Sequence, residues 1–197
     1  MKVGVLASGS GTNLQALLDA PDVEVVAVAS DKPGARALAR AAEAGVATGV
    51  FARDAFVSRA ERDAAIADWL QEHGVGLVVL AGYMQLVSPG FLARFPHRVI
   101  NVHPALLPAF PGLRAIEQAI DDGAKVTGVT VHFVDEGVDS GAIILQRALE
   151  IGDTTDPDEL HDRLRPLEHE LLPEAVRLIA AGRVSFDPAN PRRVVIG

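Results

Sequence analysis

The chain has 197 residues, 49% hydrophobic and 5% aromatic, with a formal net charge of −8. That length allows one substantial core or two small ones. The acidic balance disfavours a nucleic-acid partner, because binding a phosphate backbone needs clustered Lys and Arg, and the lack of cysteine excludes disulfides, thiol nucleophiles and thiolate metal sites.

Residues 2–7 read as a buried first strand, followed by a Gly-rich turn from Ser8 to Asn13 and a helical stretch at 14–20. The apolar lead before the glycines is too short for a signal-peptide core. Strand 23–30 leads through the turn at 31–34 into a helix at 35–44 stopped by Gly45, then a short strand at 47–51. Ser58 is placed to cap a helix running to His73, with Gly74 ending it and His73 suited to the helix C-terminus. Trp69 on that helix is expected in the core. Further strands follow at 77–81 and 99–102. The longest apolar run, near residues 77–84, is far short of a membrane span, so a cytoplasmic protein with no membrane partner is expected.

Strands alternating with helices, and apolar on both faces, predict an α/β, Rossmann-like, doubly wound and mostly parallel sheet. The pattern changes near residue 125. Two β-rich runs near residues 126–149, joined by the loop Asp135 to Gly141, predict an antiparallel edge pair. Pro157 opens a long helix to about residue 181. With no linker or repeat, a single domain over residues 1–186 is expected, followed by a weakly ordered C-terminal tail at 187–197.

Asn101 and His103 close the strand at 99–102, and Pro104 blocks further ladder bonding. Side chains two apart on a strand point the same way, and ligands of open α/β sheets bind just outside the carboxyl ends of the strands. The pair is therefore a candidate for chemistry, set against a reading in which it only satisfies loop carbonyls. An Asp that met the His could move a proton, and an Asn could hydrogen-bond a developing oxyanion. Asp139 could equally close an Asx-turn. The acids of its loop lack the EF-hand pattern, so no metal is expected. The small residues at 8–13 allow close backbone approach to a phosphate at a helix N-terminus, or simply a tight turn. On pattern alone Arg59 reads as a surface charge, His132 as an alternating strand residue, and Glu168-His-Glu170 as a solvated helix face.

Four motifs in order carry a resemblance: Ser8-Gly-x-Gly-Thr-Asn-Leu-Gln15, Leu80-Ala-Gly-Tyr-Met84, Asn101-Val-His-Pro-x-Leu-Leu-Pro108 with Pro111-Gly112, and Asp135-x-Gly-x-Asp-x-Gly-x-x-x-x-Gln146. From Lys2 to about Ile179 the chain resembles the phosphoribosylglycinamide formyltransferases. That likeness implies formyl transfer from 10-formyltetrahydrofolate, as co-substrate and with no metal, to the amine of glycinamide ribonucleotide in purine biosynthesis. It implies Asn101, His103 and Asp139 as the catalytic trio. It places the ribonucleotide phosphate at Gly11, Thr12 and Asn13, and the rest of that substrate at Arg165, Pro166, Leu167 and Glu168. It places the folate at Arg59, Met84, Gln85, Leu86, Val87, Asn101, Asp135, Glu136, Gly137, Val138 and Asp139. A monomer or homodimer is expected. The chain departs from the family pattern at Ala105 and Ala109.

Related formyltransferases acting on tRNA carry a further domain, and related deformylases an N-terminal regulatory one. A first strand at Lys2, an end at Gly197 and the acidic charge are expected to set this chain apart from both. A non-catalytic nucleotide sensor is the reading from another class, and the trio of Asn101, His103 and Asp139 speaks against it.

Overall fold

Runs of Val, Leu and Ala become the parallel strands of the first of two units, Met1–Asn101 and Val102–Gly197, in a computed structural model that describes residues 1–197. Strands β1 (Lys2–Leu6), β2 (Glu24–Ser30), β3 (Ala47–Val50), β4 (Leu77–Leu80) and β5 (Val99–His103) lie in the order β3-β2-β1-β4-β5. Every neighbouring pair is parallel. All four residues of β4 are buried, as expected of a strand covered on both faces. Each fully buried Leu or Val there contributes roughly 1.5–3 kcal/mol.

The helices of this unit are α1 (Thr12–Leu18), α2 (Arg36–Glu43), α3 (Arg59–Glu72) and α4 (Pro89–Arg94). Ser58 caps α3 as the sequence predicts, its Oγ accepting the Glu61 N–H at 3.1 Å. The Glu61 carboxylate reaches back to the Val57 N–H at 3.0 Å. These bonds satisfy donors that a bare helix start would leave open. His73 is the C-terminal cap of α3, as expected. Trp69 is only half-buried, packing edge-on to Phe51 with ring centres 5.8 Å apart and tilted against His73 at 4.5 Å. The six-residue α4 was not foreseen, although Ser88 and Pro89 supply its cap and first position.

In the second unit β6 (Val126–Phe133) and β7 (Ile143–Glu150) form the expected antiparallel pair, with Val126 opposite Glu150. Helix α5 (Ala115–Asp121) precedes them, and α6 (Pro157–Ala180) packs on both strands and against α5. Asp156 caps α6, Pro157 fills its first position, and Leu160, Leu164, Leu171 and Leu172 bury one stripe.

Residues 187–197 are not a weakly ordered tail. They belong to a hairpin of β8 (Val184–Asp187) and β9 (Asn190–Ile196), with Val184 opposite Ile196 and Phe186 opposite Val194. Pro188 and Pro191 obscure these strands in the sequence. The register shift between Phe186 and Asp187 leaves Pro191 out of the paired positions, so its missing N–H breaks no ladder bond. As a result β7 has β9 alongside it, joined in parallel at Ile143 and Arg193.

Candidate active site

His103 ends β5 and is 5% exposed. Its Nδ1 lies 3.3 Å from Asp139 Oδ2, and its Nε2 lies 2.8 Å from the Phe110 carbonyl oxygen. Both partners are acceptors when Asp139 is ionised. A neutral ring would point a lone pair at one of them, whereas an imidazolium donates to both. Asp139 occupies the β6–β7 loop at φ 49, in the left-handed region. Its Oδ2 also accepts the Gly112 N–H at 2.8 Å, while its Oδ1 lies 3.5 Å from His132 Nε2. The Nδ1 of His132 is 2.8 Å from the Phe133 carbonyl oxygen, which fixes the ring.

His132 is therefore more than an alternating strand residue. It faces the carboxylate from β6 while His103 faces it from β5. Sequence reasoning missed this because the contact joins a strand position to a loop seven residues on.

Burial opposes ionisation of Asp139. The hydrogen bond from His132, the Gly112 amide and the charges of His103 and His132 together outweigh it and hold the carboxyl below its usual range. A depressed native value makes ionised Asp139 stabilising above the unfolded carboxylate range, and this stabilisation is lost as pH falls through the native value. Chemical denaturation of wild type and Asp139→Asn should accordingly show a stability gap at neutral pH that closes on acidification. A gap that widens in acid would contradict this linkage.

The loop carrying Asp139 is shaped locally. Asp135 Oδ1 accepts the Gly137 N–H at 3.0 Å and the Ser140 hydroxyl at 2.7 Å. Ser140 thus spends its hydroxyl on the turn. At Gly141 a Cβ would run into the Phe133 carbonyl. Arg192 of β9 donates to the Ser140 carbonyl at 3.2 Å, so the C-terminal hairpin supports this loop. Glu136 and Val138 are exposed. Ala105 is buried, and its carbonyl accepts the Thr130 hydroxyl at 2.7 Å, while Ala109 is exposed.

On α6, Arg165 pairs with Asp162 at 2.9 Å and Pro166 is exposed. Glu168 is 4% exposed. The solvated-face reading of residues 168–170 is therefore wrong at Glu168, which lies on the apolar stripe between Leu164 and Leu171, one helical turn from each.

In the first unit the Gly-rich turn ends at Gly11, the N-cap of α1, with φ 72. A Cβ there would stand 2.7 Å from Ala37 Cα, so both backbone and space require glycine. Thr12 and Asn13 open the helix. The turn also meets a cation that the local sequence does not contain: Arg40 of α2 donates to the Ser10 carbonyl at 3.0 Å and to Gln15 Oε1 at 2.9 Å. Ser8 ties the turn to residues 82–84, donating its N–H to the Gly82 carbonyl at 3.1 Å and accepting the Met84 N–H at 2.9 Å. Met84 and Leu86 are exposed, Gln85 and Val87 half-buried, and Arg59 is exposed at the first position of α3. Asn101 is half-buried on β5, two residues before His103.

No group of three or more His, Asp or Glu side chains is arranged to hold a metal ion, and no helix is long and apolar enough to cross a membrane. The chain is thus an α/β protein with a mostly parallel sheet and an imidazole–carboxylate pair at a strand end, a pair that could move a proton. The model of the formyl transferase family matches residues 1–176, and the chain belongs to that family. It is 41% identical over 188 residues to the phosphoribosylglycinamide formyltransferase of Haemophilus influenzae, covering 93% of this chain and 89% of that protein. It is 42% identical over 194 residues to the trifunctional purine biosynthetic protein adenosine-3 of Drosophila melanogaster, of which it spans only 14%. Its fold superposes with a TM-score of 0.95 on glycinamide ribonucleotide transformylase 1 from Symbiobacterium toebii, at 48% identity, covering 100% of this chain and 93% of that one.

Proposed function

We propose that this protein transfers the formyl group of 10-formyltetrahydrofolate to the amino group of glycinamide ribonucleotide, in the cytoplasm, as a step of purine biosynthesis. The observation that carries this reading is His103, buried with both ring nitrogens against acceptors and held by Asp139. The substrate amine attacks the formyl carbon and forms a tetrahedral oxyanion. Asn101 donates to that oxygen, and the His103 imidazolium does so by turning its Nε2–H from the Phe110 carbonyl to the oxyanion. Asp139 keeps the imidazole charged and relays the proton that the amine sheds towards the folate nitrogen. Collapse breaks the bond to the folate nitrogen, which recovers a proton, and leaves tetrahydrofolate and formylglycinamide ribonucleotide. With Ser140 engaged in its turn, direct transfer between two bound substrates fits better than a covalent intermediate.

The ribonucleotide phosphate is assigned to Gly11, Thr12 and Asn13, and the amine end to residues 165–168. The folate is assigned to Arg59, residues 84–87, Asn101 and residues 135–139. Following the absorbance of 10-formyltetrahydrofolate with and without glycinamide ribonucleotide tests the whole reading. Loss that depends on the ribonucleotide is expected, and equal loss without it would point to hydrolysis instead.

Gly11→Val should raise the KM for the ribonucleotide more than that for the folate, because the new side chain meets Ala37 at the phosphate turn. Steady-state kinetics with each substrate varied in turn checks this. Parallel rises in both constants would mean that the turn only shapes the fold.

A further inference from the structure

We propose that the buried Arg62–Asp63 pair of α3 is a positioning device that holds the Met84–Val87 segment in its folate-binding shape, and so sets folate affinity apart from turnover. The proposal rests on the folate assignment made above. Arg62 is 2% and Asp63 0% exposed. Burying two charges costs several kcal/mol per ion, and such pairs are often replaced by apolar residues with no loss of stability. Stability alone therefore does not explain the pair.

Its geometry gives a better account. Adjacent helix residues do not face one another, yet Arg62 folds back to place Nε and Nη2 3.2 and 3.0 Å from a single oxygen, Asp63 Oδ1. That leaves Asp63 Oδ2 and Arg62 Nη1 free for other work, and both serve the same segment. Asp63 Oδ2 accepts the Ser88 N–H at 2.6 Å, and Arg62 Nη1 donates to Gln85 Oε1 at 3.4 Å. The opposite end is fixed by Ser8, which accepts the Met84 N–H and donates to the buried Asp31 carboxylate at 2.6 Å. Between these anchors Met84 is 57% and Leu86 56% exposed. Two large apolar side chains thus stay exposed on a segment pinned at both ends, open to an apolar ligand face. Tyr83, buried within electrostatic reach of Arg62, Asp63 and Asp31, is kept neutral because burial pushes its phenol well up.

The test is steady-state kinetics in both substrates on wild type, Arg62→Lys, Gln85→Leu, their double variant, and Arg62→Met with Asp63→Asn. The last variant removes both buried charges, so no unpaired ion is left to unfold the helix. Arg62→Lys and the neutral-pair variant are expected to raise folate KM about tenfold, with kcat and ribonucleotide KM within about twofold. Arg62→Lys and Gln85→Leu are expected to combine non-additively in folate KM. An unchanged folate KM in a variant with wild-type thermal unfolding overturns the proposal, as does an equal rise in both KM values. If the neutral-pair variant does not fold, Arg62→Lys decides by the same criterion. A wild type that does not consume 10-formyltetrahydrofolate overturns the functional reading and this proposal with it, whereas an active wild type with indifferent variants overturns the proposal alone.

Discussion

Asp139→Asn is expected to lower kcat by on the order of a hundred- to ten-thousand-fold, the usual contribution of an acid–base group, while the fold and ribonucleotide binding persist. The carboxylate accepts on both oxygens, from His103 and Gly112 on one and towards His132 on the other. An amide has only one accepting end. Whichever way it turns, its NH2 confronts either the His103 and Gly112 donors or the His132 ring. The His103 imidazolium then loses the charge that holds it. Stopped assays of kcat beside thermal unfolding check the expectation, and near wild-type turnover in a folded variant would remove Asp139 from the mechanism.

His103→Asn should be equally damaging and should also change the shape of the pH profile. In the wild type, kcat/KM for the ribonucleotide is expected to be bell-shaped. It falls in acid because a protonated amine cannot attack, and falls in alkali because the imidazolium is lost. Sign and side are separable: the acid limb belongs to the substrate and should survive in the variant, while the alkaline limb should vanish. Residual turnover would then reflect substrate positioning alone. A variant that kept the wild-type rate and the same alkaline limb would show that another group stabilises the oxyanion.

Much of this molecule is legible before any coordinates. β1, β2, β4 and β5 are short apolar runs ended by polar or glycine residues, and strands buried on both faces need no more pattern than that. Helices α3 and α6 announce themselves through Ser58 and through Asp156-Pro157. His103 stands out at the end of its strand, the resemblance adds Asp139 to it, and the structure brings their side chains together. What stayed hidden depends on distance in sequence. Arg40 reaches Ser10 from thirty residues away, and no periodicity reports that. Arg62 and Asp63 carry no local sign of their partners, because nothing nearby in sequence shows that residues 85 and 88 bond to them. At Glu168 the same distance works in reverse, since a charged triplet looks solvated until the helix is packed. The β8–β9 hairpin was lost to its prolines.

The left-handed backbone at Asp139 restricts which neighbours in sequence space this position can visit. Residues other than Gly, Asn and Asp lose roughly 1–2 kcal/mol there before any chemistry is considered. Glu would keep the charge yet incur that penalty and overreach by a methylene. Asn would keep the backbone and lose the charge. In a saturation library all replacements should therefore lose activity, while thermal unfolding should stay closest to wild type at Asn and Gly and fall further at the others. Position 139 thus answers to two separate demands, a backbone shape that Gly, Asn and Asp meet and a charge that only Asp of the three supplies.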